Sequence, residues 1–273
     1  MRLLATALMV CSLGGASLGH AQGAGAPQNT GPSLPAPSSP TPSLPTQGHV
    51  RAVSPALERY EQNTIFGDLW RRPDLSSRDR GIVTLSALIA RNQTNELPRY
   101  LGLALDRGVE PGEISGLITH LAFYSGWANA MAASSAAREV FAARGIGAEQ
   151  LPAARPDLLP LNAAAEARRA AQVAQTVRPI APGLDQFTTD TLFHDLWLRP
   201  DLAARDRSLV TVSALIATGQ VAQIPFHLNR AMDNGLTRAQ ASEAVAHLAF
   251  YAGWPNAFSA VPVVKNVFDT RPN

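Results

Sequence analysis

The feature that most constrains this chain is an internal repeat. Residues 64–131 align without a gap on residues 191–258, at a constant offset of 127, and about half of the aligned positions are identical. FGDLWRRPDLSSRDRGIVTLSALIA is matched by FHDLWLRPDLAARDRSLVTVSALIA, and HLAFYSGWANA by HLAFYAGWPNA. Duplication of one folding unit explains a match of this length.

Each copy reads as helices. In the second, Pro200 ends the segment containing Leu196-Trp197. Asp201 is placed to cap the next helix, in which Leu209, Val210, Val212, Leu215 and Ile216 recur at helical spacing up to Gly219. A third helix from about Pro225 to Asn234 stops at Gly235, the residue type that tolerates a left-handed helix end. Thr237 and Gln240 form a capping box that opens a fourth, carried by Ala241–Tyr251. In the first copy Gly108 repeats the stop, and Pro111 takes a first-turn position where a missing N–H costs nothing. No segment alternates with period two. The expectation is an all-α chain with repeat 1 at residues 55–145, a connector at 146–182 that holds an Ala-rich helix within Leu161–Val177, and repeat 2 at 183–273.

Upstream, Met1-Arg2, the apolar run Leu3–Leu18 and the small-residue site Gly19-His20-Ala21 read as an export signal over residues 1–21, and imply a periplasmic or secreted protein. The apolar run is too short and too glycine-broken for a membrane span. Cys11 suggests a lipoprotein, but Val10 stands where a lipobox needs a small residue. Residues 22–54 include PQNTGPSLPAPSSPTPSLPTQG and read as a disordered linker, too poor in apolar surface to repay ordering. Cys11 is the chain's single cysteine, so removal of the signal leaves no thiol and no disulfide.

Charge is nearly balanced, 23 Lys+Arg against 21 Asp+Glu, with no basic run interleaved with aromatics, so nucleic acid is not an expected partner. No phosphate loop, no nucleophile elbow and no histidine pair at metal-ligand spacing is present, and no metal is expected. Three constellations remain. His247, Tyr251 and Trp254 fall at i, i+4 and i+7 and share a face if the helix continues that far; His120, Tyr124 and Trp127 repeat them. Glu243, one turn before His247, could orient its ring, whereas the first copy has Gly116 there. His227, a default proton-transfer group, faces Tyr100 in the alignment. Arg205 and Arg207 flank Asp206 near a helix N-terminus, as Arg78 and Arg80 flank Asp79. The macrodipole disfavours positive charge there, so a carboxylate partner or an anionic ligand is called for.

The motifs W-x-R-P-x-L, R-x-R-S-L-V-T, H-x-x-x-A-x-x-N-G-x-T and H-L-A-x-Y-x-G-x-P-x-A, all read in the second copy, resemble the carboxymuconolactone decarboxylase family over almost a full domain length. The resemblance implies two tandem helical domains of the alkylhydroperoxidase-D-like type and a homo-oligomer, here a trimer of two-domain chains. It also implies cofactor-independent decarboxylation of a small carboxylate or lactone, in which a conjugated carbonyl serves as electron sink. Carried over by position, His227, Glu243 and His247 would be catalytic, with Arg205, Arg207, Tyr251 and Trp254 binding substrate and the first copy degenerate. The peroxidase branch of the superfamily works through a cysteine pair; the matching positions lie near Gln220 and Gln223, so that chemistry is not expected here. Export sits poorly with an intracellular catabolic step and leaves a non-catalytic binding or scaffolding role open. The enzyme reading requires Arg205, His227 and Glu243 to converge on one pocket.

Overall fold

The computed structural model describes residues 47–271; the export signal and linker residues 22–46 lie outside them. Twelve α-helices occur among the described residues, with no strand. The first two, α1 (Gln47–Val53) and α2 (Pro55–Tyr60), precede the first repeat core of α3 (Ser77–Ala90), α4 (Leu97–Asp106), α5 (Pro111–Tyr124) and α6 (Trp127–Ala143). The connector carries α7 (Ala163–Thr176), and α8 (Pro182–Phe187) leads into α9 (Ala204–Ala217), α10 (Ile224–Asp233), α11 (Arg238–Ala252) and α12 (Trp254–Thr270). Helix α1 corrects the expectation of disorder through residue 54: QGHVRAV contains no proline, so nothing in it prevents helical hydrogen bonding.

Local chemistry sets most of the boundaries. The Ser76 hydroxyl accepts the Asp79 N–H at the start of α3, and the Thr237–Gln240 capping box opens α11. Gly108 and Gly235 follow α4 and α10 with φ of 86° and 98°, a region in which a β-carbon is strained. Asp201 does not cap α9. Ala203 occupies the N-cap position without a side-chain bond, and Asp201 turns instead to Arg199. Helix α11 ends at Gly253 (φ 93°), and Trp254 opens α12, so Trp254 leaves the face shared by His247 and Tyr251.

The two copies share one core. Helices α3 and α9 pack together at the centre, α3 also packs against α11, and α9 against α5. Each copy's central helix therefore meets the third core helix of the other copy, α11 or α5. From Asp79 to Ala90 and from Asp206 to Ala217 every residue is buried, polar ones included. A helix enclosed on all sides must satisfy its polar groups with side chains from its neighbours. Those satisfied and unsatisfied polar groups form the candidate sites.

Candidate functional site

The Arg-Asp-Arg motifs divide into two tasks. Arg205 Nη1 and Nη2 donate to the Asp79 carboxylate at 2.6 and 2.8 Å, and Nη1 also donates to Asp206 at 2.8 Å. Reciprocally, Arg78 donates to Asp206 at 2.8 Å and to Glu113. These crossed pairs clasp the copies together. Arg205, expected to bind substrate, is thus taken up by protein carboxylates. The following arginines, Arg80 and Arg207, point inward and are buried at 0% and 1% exposure.

Arg80 belongs to a cluster drawn from both copies. Its Nη2 donates to Glu243 Oε1 at 3.0 Å, and Arg72 holds the same carboxylate through Nε at 2.7 Å and Nη2 at 3.1 Å. Burial opposes the charge on Glu243, but these bonds outweigh it and hold its carboxyl below the usual range. Arg80 Nη1 lies 3.3 Å from His247 Nδ1, and His247 Nε2 lies 2.8 Å from Thr84 Oγ1. Because a guanidinium only donates, Nδ1 must be bare, which places the ring proton on Nε2. Burial, with Arg80 adding to it, lowers the His247 pKa to about 3. Trp70 donates to the Tyr251 hydroxyl at 2.8 Å, and Tyr251 reaches the Tyr100 hydroxyl at 3.3 Å. Two cavities border this cluster: one of about 590 Å³ lined by Trp70 and Arg72, and one of about 390 Å³ lined by Tyr100 and Tyr251.

The equivalent cluster on the other side is built from Trp197, Arg199, Arg207, Thr211 and His227 of the second copy, with Gly116, His120 and Tyr124 of the first. Trp197 donates to the Tyr124 hydroxyl at 2.9 Å. Thr211 uses its one hydroxyl proton on the Arg207 carbonyl (2.9 Å), so His120 Nε2, 2.7 Å away, is the donor and His120 Nδ1 is again bare. His227 is 8% exposed and lies between the Tyr124, Trp197 and Phe226 rings, with centroids 5.2, 6.2 and 5.0 Å away. Burial, then the charge of Arg230, lowers its pKa to about 4. Arg230 lies over the Trp197 ring at 4.2 Å and has an apolar counterpart, Leu103, in the first copy. The connector runs along this side: Arg199 donates to the carbonyls of Ala153 and Ala154, and Arg169 of α7 stacks on Phe193.

The two clusters differ in satisfaction. Arg80 has Glu243, whereas Arg207 makes no ion pair among the described residues, and its Nη2 donates to the carbonyls of Arg199 and Leu202. Its Nε and Nη1 are buried without partners, as are His120 Nδ1, His227 Nδ1, Arg230 Nε and Asp201 Oδ2; Arg80 Nε in the other cluster is likewise unpartnered, so Nη1 is what sets the two arginines apart. Burial lowers the Arg207 pKa to about 10 despite the nearby charge of Asp201.

The residues expected from sequence are therefore distributed over four places. His227 and Arg207 lie in one cluster; Glu243, His247 and Tyr251 lie in the other; Arg205 forms the clasp; and Trp254, 50% exposed, packs on Phe250 at the surface. Arg205, His227 and Glu243 do not converge, so the enzyme reading fails in the form that required that trio, and a catalytic role has to stand on other residues around His227. Glu243 makes no bond to His247, because Arg80 stands between them. His247 has both ring nitrogens engaged and no exposed surface, which removes it from direct proton transfer. Sequence reasoning missed Trp197, Thr211 and Arg230. The identity of Trp70 with Trp197 and of Thr84 with Thr211, and the contrast of Leu103 with Arg230, were the available signals.

An all-α pair of copies with this buried arginine–histidine–threonine arrangement defines a duplicated helical domain. The sequence profile of the carboxymuconolactone decarboxylase family matches residues 55–139 and 182–266, and the chain belongs to that family. It is similar to 4-carboxymuconolactone decarboxylase of Acinetobacter baylyi, 35% identical over 74 residues that cover 27% of this chain and 55% of the relative. It is also similar to nitrosuccinic acid decarboxylase of Metarhizium robertsii, 31% identical over 88 residues, 32% of this chain and 61% of that protein. The aligned parts thus span little more than half of these relatives' length.

Proposed function

We propose that the His227 cluster binds a small carboxylate and catalyses its decarboxylation without a cofactor. The observation that carries this is Arg207, a buried guanidinium whose Nε and Nη1 have no protein acceptor, near His120, whose Nδ1 is bare, in the cluster that also holds His227. A buried charge without a counter-ion is costly, and an anion arriving from outside offsets that cost. In the proposed reaction the electron pair of the breaking C–C bond moves onto a conjugated carbonyl, carbon dioxide leaves, and the carbon takes a proton relayed through His227. Arg207 and Arg230 supply positive charge for the anchored carboxylate and for the oxyanion that develops. His227, its pKa lowered to about 4, is neutral at physiological pH, so it relays by giving the proton of its ring N–H while its other nitrogen takes one up. The names of the two relatives support acidic lactones and substituted succinic acids as the first candidates. The test is carbon dioxide release by the purified chain from such acids and from β-keto acids. Binding without release would establish the non-catalytic reading instead.

We also propose export and self-association. Residues 1–21 motivate the first; an N-terminus near Gln22 on native protein would agree, an uncleaved N-terminus would overturn it, and a lipidated Cys11 would replace the free protein by a membrane-anchored one. Trp127, Met131, Trp254 and Phe258 stand at repeat-equivalent positions and are 50–68% exposed, which supports an interface between chains. A trimer by light scattering is expected, and a monomer at micromolar concentration would refute it.

A further inference from the structure

The second copy of the fold places a glutamate, Glu243, where the first has Gly116, and the structure shows what fills the difference. A β-carbon built on Gly116 would lie 2.7 Å from Asp201 Oδ2 and 3.4 Å from its Cγ. The Asp201 carboxylate therefore occupies the space that a side chain at position 116 would need. Its side chain is 2% exposed, its Oδ1 accepts from Arg199 Nε at 3.0 Å, and its Oδ2 has no partner. The counterpart residue in the first copy, Asp74, is exposed.

The two carboxylates do the same thing to one arginine and different things to another. Glu243 accepts from Arg72 Nε, and Asp201 from Arg199 Nε, so each fixes the loop arginine of its cluster. Glu243 also reaches Arg80 at 3.0 Å and uses up its charge. Asp201, shorter and mounted on the loop instead of the helix, makes no ion pair with Arg207, whose Nε and Nη1 stay free.

Resting on the reading that the His227 cluster takes a carboxylate, we propose that Asp201 is a positioning residue and that Gly116, by lacking a side chain, gives it its seat and so determines whether Arg207 has a protein counter-ion. Together they retain the hold on Arg199 while leaving Arg207 open to an anion. The first-copy glycine is then not a lost catalytic group, and the Glu243 cluster is closed because its carboxylate is built in.

Moving the carboxylate between the two positions tests this. The double variant Gly116→Glu/Asp201→Ala returns the acid to the helix in the geometry of Glu243. Titration calorimetry with succinate and with benzoate as probes is expected to show one anion per wild-type chain, and at least tenfold weaker binding in the double variant with its melting temperature preserved. Glu243→Gly is expected to free Arg80 and add a second binding event per chain. Unchanged affinity in a folded double variant would overturn the role of Asp201 and Gly116 alone. Failure of the wild-type chain to bind either probe would overturn the underlying carboxylate reading, and the inference with it. Should Glu243→Gly fail to fold, the double variant still decides.

Discussion

The two clusters are built from equivalent positions of one repeat, yet one pairs its buried arginine with a carboxylate and the other does not. Around Arg80 the buried charge is paired: Glu243 accepts from both Arg80 and Arg72, and Tyr251, Tyr100 and Trp70 complete a hydroxyl–indole chain. Around Arg207 the same scaffold carries two imidazoles, a second cation in Arg230 and several buried polar atoms without partners. The difference teaches that duplication does not here produce one intact and one degenerate site. Each cluster takes residues from both copies, so a substitution at one of these positions alters one side of a shared site. Tyr100 thus belongs with Glu243, and His227 with Gly116.

The largest expected effect separates the clusters by chemistry. If carboxylate turnover is found, His227→Ala should lower it by about 10²–10⁴-fold with the fold intact, the usual range for loss of an acid–base group. Tyr100→Ala should act mainly on stability, since its hydroxyl is held by Tyr251 and burial pushes its pKa upward. Turnover measured beside thermal melting distinguishes them. Equal turnover in both variants would remove His227 from the reaction.

Next in size is the response of the two inward arginines. Arg80→Met leaves Glu243 without one partner and His247 Nδ1 without its donor, and should cost about 3–5 kcal/mol in chemical denaturation. Arg207→Met frees the carbonyls of Arg199 and Leu202 but also removes an unpaired buried charge. These effects oppose, so its net cost should stay within about 1–2 kcal/mol while anion binding is lost. Equal destabilisation would mean that the clusters are energetically alike.

Acid provides a smaller, graded test. His227 titrates at about 4 and His247 at about 3 in the folded chain, both below the ordinary 6.5. The unfolded chain therefore takes up protons that the folded chain refuses. Stability should be complete above pH 6.5 and decline as pH falls from there toward 4 and 3. Each imidazole contributes about 1.4 kcal/mol per pH unit within its window. His227→Leu should flatten the slope between pH 6.5 and 4 by one proton; an unchanged slope would show that His227 is not held neutral.

The smallest effect is expected at the tryptophans. Trp254→Ser and Trp127→Ser lie outside both clusters at 50% and 66% exposure, and should change the stability of the isolated chain by no more than about 0.5 kcal/mol. A loss of several kcal/mol would mean that Trp254 carries part of the fold despite its exposure.

Much of the fold was legible because its signals are local. The Gly108 and Gly235 stops, the Thr237 capping box and the Ala-rich connector helix depend on residues a few positions apart, and all recur in the structure. The candidate site was legible only in pieces. His227 and Arg207 were identifiable as residue types suited to proton transfer and anion binding, but their surroundings were not. Arg80 and His247 are 167 residues apart, and His120 and Thr211 are 91 apart, so no local spacing could pair them. Gly253 likewise ended a face that simple helical periodicity would have continued.

The sequence by itself determined the duplication, the helices and their caps, and the absence of thiol chemistry downstream of Cys11. These follow from residue type and short-range geometry, which the chain carries wherever it goes. Only tertiary structure decided which residues share a site. Packing α3 against α11 and α9 against α5 crosses the copies, so Glu243 neutralises Arg80, while Asp201, seated on Gly116, stops short of Arg207. The physical reason is that a buried charge is defined by what lies within a few ångströms of it, and in this fold those neighbours come from the other copy.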